Sequence, residues 1–191
     1  MATDTTRLRL LDEAERLFLD QGYERVSVRA INAAAGMNPA AVAYHFGSKE
    51  GLVIALLQRR LGPLWADQLN ALDRPGVAEL VDLVAAPLDD LARRPDGRML
   101  LHLLARVVLG NPGLRFDQTW FRFKPWCDLL AAARPDLSAA EVRDRWRLAF
   151  ELLLQVYGQP AAAAEFTAPP PLRTVTAFVA AGLDAPPPRR D

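Results

Sequence analysis

Between Ser27 and Glu50 the chain reads SVRAINAAAGMNPAAVAYHFGSKE, a run that starts and stops helices at very short intervals. Ser27 has a side-chain oxygen able to cap free helical amides, so a helix starts there. Val28, Ile31, Ala34 and Ala35 then recur at helical spacing and define one inward face. Gly36 follows, where a left-handed residue costs little and a helix can be capped. Asn38 and Pro39 restart the chain, since Asn caps well and Pro is tolerated at the first helical position. Val42 and Phe46, four apart, pin the second helix by one face. Its outer face is left with Pro39, Ala40, Ala41, Ala43, Tyr44 and His45. Gly47 and Ser48 break and restart the chain once more, and Ser48, Lys49 and Glu50 open a long apolar helix.

Helix, tight turn, short helix and capped third helix make the layout of a helix-turn-helix, whose second helix enters a DNA groove. Small side chains let that helix sit deep in a major groove, and alanine can touch a thymine methyl. Tyr44, His45, Lys49 and the amides opening the third helix suit phosphate contacts. Arg29 is the best base reader available, because a guanidinium pairs bidentately with guanine. The plain alternative is three small helices of an ordinary α-domain.

The same stretch resembles the DNA-binding domain of TetR-family transcriptional regulators. The resemblance rests on LFLDQGYERVSV (Leu17 to Val28), on the AAG before the turn (Ala34 to Gly36) and on YHFGSKEGL (Tyr44 to Leu52), and covers roughly residues 5 to 60. It implies an all-α homodimer in which each subunit adds a variable ligand-binding domain. It also implies that Ser27 and Arg29 contact DNA from the second helix. Pro39, Ala40, Ala41, Ala43, Tyr44 and His45 would line the recognition helix, and Lys49 would hold a phosphate. The family commonly has an aromatic where this chain has Ala43, and often a basic or polar residue where it has Pro39. Both departures weaken backbone anchoring and shift readout toward apolar contacts and Arg29.

Charge agrees with a reader that depends on local placement. The 191 residues carry 23 basic and 23 acidic side chains, so the net charge is zero and nothing suggests a nucleic-acid coat or a membrane-surface protein. Asp12, Glu13, Glu15, Asp20 and Glu24 offset the arginines of the candidate DNA-binding segment. With Cys127 as the lone cysteine there is no intrachain disulfide and no cysteine-based metal site. No cofactor is expected. The first apolar residues are interleaved with Arg7, Arg9, Asp12 and Glu13, unlike a signal peptide. No apolar run approaches the ~18 residues of a membrane span. A soluble cytoplasmic protein is the natural expectation.

The remaining chain reads as helices throughout. The first spans Thr5 to Gln21 with Leu8, Leu11, Ala14, Leu17 and Phe18 inward, and the helix from Ser48 continues toward Asn70 past Pro63. Others follow from Gly76 to Arg94, interrupted at Pro87, and from Arg98 to Leu109. Residues 114 to 133 suit a helix rich in aromatics, including Phe116, Trp120, Phe121, Phe123 and Trp126. Ser138 with Glu141 forms a capping box for a helix reaching Tyr157, and a last helix covers Leu172 to Leu183. The expected organisation is an all-α chain with a helix-turn-helix domain at 1–50, a ligand-binding and dimerisation domain at 51–185, and a disordered tail at 186–191.

In a TetR-like dimer the last two long helices of each subunit form a four-helix bundle. Trp146, Ala149, Phe150, Leu153 and Tyr157, then Val175, Phe178, Val179 and Gly182, make broad apolar stripes that suit such a bundle, although a stripe at this spacing is more often plain core than interface. Two recognition helices reaching successive major grooves, about 34 Å apart, require a pseudo-palindromic double-stranded operator. Trp65, Met99, His102, Trp120, Phe123 and Trp126 are the candidate lining of an effector pocket favouring an apolar or aromatic compound. The expectation is a homodimeric repressor released when a small ligand tilts the helix after Ser48. Two rivals stand beside it. Cys127 with His102 could form a thiol nucleophile and its base, though no third orienting motif accompanies them and no catalytic residue is assigned. The chain could also be a helical interaction protein that kept the fold without DNA recognition.

Overall fold

One long helix and two short ones come first, and longer packed helices follow. A computed structural model describes residues 2–71, 74–110, 122–159 and 169–187, all in helices and connecting turns with no strand among them. The chain forms two compact units, Met1–Arg60 and Leu61–Asp191.

In the first unit, α1 (Ala2–Gln21) is followed by a 3-10 turn at Tyr23–Arg25, then α2 (Val28–Ala34), α3 (Ala41–Phe46) and the start of α4 (Lys49–Ala71). Leu10, Ala14, Leu17 and Phe18 form the buried face of α1. Leu8, expected inward, is 48% exposed, because the stripe passes through Leu10 and Leu11 instead. The unit extends past residue 50 into α4. Leu52, Val53 and Leu56 are fully buried, and α4 is tied to α1 by ion pairs from Arg59 to Asp12 at 2.8 Å and Arg60 to Glu15 at 3.1 Å.

The second unit contains the rest of α4 with α5 (Val77–Ala92), α6 (Pro95–Gly110), α7 (Phe123–Ala133), α8 (Ala139–Tyr157) and α9 (Leu172–Asp184). Helix α5 packs on α6 and α9, while α8 packs on α6, α7 and α9. The capping box at Ser138 and Glu141 forms, with the Glu141 amide donating to Ser138 Oγ at 3.2 Å. The C-terminal end of α9 is held by two arginines. Arg145 donates to the Leu183 carbonyl at 3.0 Å, and Arg134 pairs with Asp184 at 3.0 Å. Cations at that end also complement the helix dipole. The aromatic helix begins at Phe123; Phe116, Trp120 and Phe121 lie outside the described residues, as do 188–191 of the expected tail.

Helix α5 runs unbroken through Pro87, where an interruption was expected. Proline has no amide hydrogen, so the carbonyl four residues earlier, that of Leu83, loses its helical donor. That carbonyl is not left unpaired: the Trp65 indole N–H donates to it at 3.1 Å in the buried core. Trp65, expected as a pocket aromatic, is 6% exposed and serves as a structural partner of the proline site. The two residues should be energetically coupled. Trp65→Phe should cost about 1–2 kcal/mol beyond its loss of volume, since a buried carbonyl is left unpaired. In a Pro87→Ala background, which restores the helical donor, that extra cost should vanish. Urea unfolding of the four proteins in a double-mutant cycle measures it.

Candidate nucleic-acid interface

The turn between α2 and α3 is built by local chemistry. Ser27 Oγ accepts the Ala30 amide at 3.1 Å and caps α2. At the other end Gly36 has φ 68°, a conformation open to glycine at little cost. The Met37 amide then bonds back to the Asn32 carbonyl at 2.8 Å and the Gly36 amide to the Ala33 carbonyl at 3.0 Å, the paired bonds of a Schellman cap. Asn38 Oδ1 accepts the Ala40 amide at 3.0 Å, so the restart at Asn38 forms. Pro39 and Ala40 remain in that turn, and regular helix begins only at Ala41. Gly47 has φ 75° and ends α3; Ser48 Oγ accepts the Gly51 amide at 3.0 Å and starts α4. Gly51 itself passes so close to the Phe46 carbonyl that a β-carbon there would collide with it.

The side chains expected at the interface divide three ways. Ser27, Arg29, Pro39, Ala40 and Ala43 are exposed, and Tyr44 stands 81% exposed from α3. His45 is half-buried, with its ring edge-on to Tyr44 at 5.0 Å between centroids. Ala41 is only 6% exposed and packs with Val42 on the buried face at the start of α3. It leaves the outer face and cannot line a groove.

Lys49 also departs from expectation. Its ammonium donates to the Tyr23 carbonyl at 2.7 Å and sits 3.8 Å from the Tyr23 ring centroid and 5.8 Å from that of Phe18. It fastens α4 to the 3-10 turn instead of pointing outward to hold a phosphate. Two other cations flank the motif, and sequence reasoning missed both. Arg7 lies 4.8 Å over the Phe46 ring with Nη1 3.5 Å from the His45 carbonyl. Arg9 places Nη2 3.7 Å from where a β-carbon of Gly36 would stand. Both side chains are exposed, whereas Arg16, Arg59 and Arg60 are engaged with acids of α1. The motif therefore offers Arg7, Arg9 and Arg29 beside the small, uncharged face of Ala40 and Ala43, with Tyr44 projecting from it. That arrangement suits groove entry and phosphate contact without a strongly basic surface.

Residues 10–56 match the model of the bacterial regulatory proteins of the tetR family. The N-terminal segment is thus similar to the DNA-binding domain of that family. The HTH-type transcriptional repressor Rv1474c of Mycobacterium tuberculosis is 34% identical over 117 residues, 60% of this chain and 56% of that protein. The HTH-type transcriptional regulator BetI of Rhizobium meliloti is 41% identical over 66 residues, 35% of this chain and 32% of that one. The matched segments thus span between about a third and just over half of these relatives. Over most of its length the fold is similar to that of GusR from Salmonella enterica, with a TM-score of 0.58 at 21% identity, covering 94% of this chain and 95% of that one.

In the second unit the candidate pocket residues do not converge. Trp126 is 3% exposed and belongs to an aromatic cluster, 6.0 Å from Trp146, whose indole N–H donates to the Trp126 carbonyl at 2.7 Å. Phe123 and Met99 are half-buried, Phe123 resting 6.0 Å from the Phe150 ring. Trp120 lies outside the described residues. Of the expected set, His102 alone lines the described cleft, an open space of about 430 Å³ between α6 and the end of α8. Its Nδ1 is 3.1 Å from the Gly158 carbonyl, so that nitrogen carries the hydrogen. Arg106, Gln155 and Gln159 give the cleft a polar wall beside Leu109 and Leu154. Nearby Tyr157 is pushed up to about 12 by burial and stays neutral. Burial also pushes the Cys127 thiol up, the reverse of what activates a nucleophile.

None of the described helices is long and apolar enough to cross a membrane. The role of Lys49 is open to a direct check. Lys49→Met should destabilise the protein by about 1–2 kcal/mol in chemical unfolding, through loss of a charge-assisted bond and a cation–π contact. The slope of log K against log salt for DNA binding should stay unchanged, whereas loss of a phosphate contact would lower it by about 0.9.

Proposed function

We propose that this protein is a homodimeric, sequence-specific DNA-binding transcriptional regulator that acts as a repressor and leaves its operator when a small ligand binds the second unit. The observation that carries the reading is the capped α2–turn–α3 motif, with Ala40 exposed at the cap of α3, Ala43 and Tyr44 exposed on it, and Arg29 on the first turn of α2. The relatives it matches are named transcriptional regulators or repressors. Arg29 reads a base edge, Ala40 and Ala43 lie against the groove floor, and Tyr44 with Arg7 and Arg9 contacts the backbone.

Two large apolar side chains support the dimer. Leu148 on α8 is 60% exposed and Phe178 on α9 is 70% exposed, both on helices whose inner faces are already buried. Pairing α8 and α9 with the same helices of a second copy covers them. The cleft beside His102 supports an effector site, though its lining favours a ligand with hydrogen-bonding groups beside an apolar part over a purely apolar one. Such a ligand releases DNA only as far as it binds the released form more tightly than the DNA-bound form. Helix α4 contributes residues to both units and is the covalent path along which the change travels.

The test is fluorescence anisotropy of the full chain on a duplex from upstream of its own coding sequence, with a scrambled duplex as control at two salt concentrations. The reading predicts tight binding to the first duplex alone. Arg29→Ala should weaken it by about 1–3 kcal/mol and relax the preference at one base position. Equal binding to both duplexes, together with no sequence enriched from random DNA, would instead support an interaction protein that kept the fold.

A further inference from the structure

A helix of six residues forms too few internal bonds to hold its own orientation. Helix α3 is such a helix, and Ala40 at its capping position supplies no side-chain bond. The amide of Val42, in its first turn, has no acceptor inside the helix. It donates instead to Asn32 Oδ1 at 3.1 Å. The other end of the same carboxamide donates from Nδ2 to the Pro39 carbonyl at 2.7 Å. Asn32 sits within α2, 1% exposed, and is one of two buried polar or charged residues among those described, the other being Asp89.

A buried carboxamide is costly unless its polar atoms are paired, and here one donor and one acceptor are both spent on the segment that opens α3. Shorter hydroxyl side chains cannot span both groups, and an aliphatic side chain would satisfy the packing while leaving both backbone groups unpaired. We propose that Asn32 is a positioning residue for DNA recognition: it caps α3 from the neighbouring helix and sets the rotation at which Ala43 and Tyr44 meet the groove. This rests on the DNA-binding reading above, since positioning matters only if α3 is presented to DNA. Arg7, stacked over Phe46 at the far end of α3, holds the opposite terminus. A helix fixed at both ends by its neighbours presents one face, which sequence discrimination requires.

Two variants test it, Asn32→Ala and Asn32→Leu, the second filling the vacated volume so that the fold is kept. In the DNA-free full chain, hydrogen exchange at the Val42 amide should quicken at least tenfold in both, while amides of α1 keep their rates. The affinity ratio of a selected operator over a scrambled duplex should fall at least tenfold. The slope of log K against log salt should not change, because no phosphate contact is removed. A residue with a purely structural role would move the melting temperature alone. An Asn32→Leu protein that melts like the parent yet has lost its operator preference carries the proposal. Retained preference in a folded variant overturns it, and so does a loss accompanied by a lower salt slope. If the unmodified chain shows no operator preference, it is the DNA reading that has failed, and Val42 exchange still decides whether Asn32 caps α3.

Discussion

The pair of hydrogen bonds from Asn32 to the Pro39 carbonyl and the Val42 amide is what makes the N-terminal unit more than three adjoining helices. The helix caps of the motif, by contrast, are local. Ser27 caps its own helix, Gly36 closes the helix before it, and Asn38 and Ser48 each hold an amide two or three residues ahead. Those bonds define where helices begin and end but leave their mutual rotation open. Asn32 links positions seven and ten residues apart and removes that freedom, with Gly36 in its left-handed conformation allowing the chain to double back. Groove recognition demands that side chains be held to fractions of an ångström, so the carboxamide is the least replaceable part of the account.

Charge is distributed in keeping with that geometry. A net-neutral protein cannot depend on bulk attraction to DNA, and much of its positive charge is directed elsewhere. Arg16, Arg59 and Arg60 engage acids of α1, while Lys49 is turned inward to Tyr23. Arg7, Arg9 and Arg29 remain exposed around the motif. In the proposed regulator, affinity comes from a few well-aimed contacts and from doubling them in a dimer. Such a binder has a modest salt dependence and gains proportionally more from base and groove contacts.

Much of this was legible in the amino-acid sequence wherever the signal was local. The stops and starts at Ser27, Gly36, Asn38, Ser48, Ser138 and Gly158 follow from the chemistry of capping, and the stripes of α1, α8 and α9 from helical period. What could not be read depended on residues far apart in the chain. Asn32 looks like a polar gap in an apolar stripe until its two partners beyond the turn are known. Lys49 follows a serine cap and reads as a phosphate ligand; only the 3-10 turn at Tyr23 reveals where it points. Ala41 was assigned to the outer face as a neighbour of the inward Val42, and the buried face proves wide enough to take in both. Pro87 and Trp65 were taken for a break and a pocket aromatic, although each accounts for the other through the Leu83 carbonyl.

The most direct test of the central claim is a hydroxyl-radical footprint of the protein on a sequence selected from random DNA. If α3 enters the major groove as half of a symmetric dimer, the footprint should show two protected blocks related by a two-fold axis and centred about one helical turn, or a small multiple of it, apart. Uniform protection with no selected sequence, or a single block without symmetry, would contradict it.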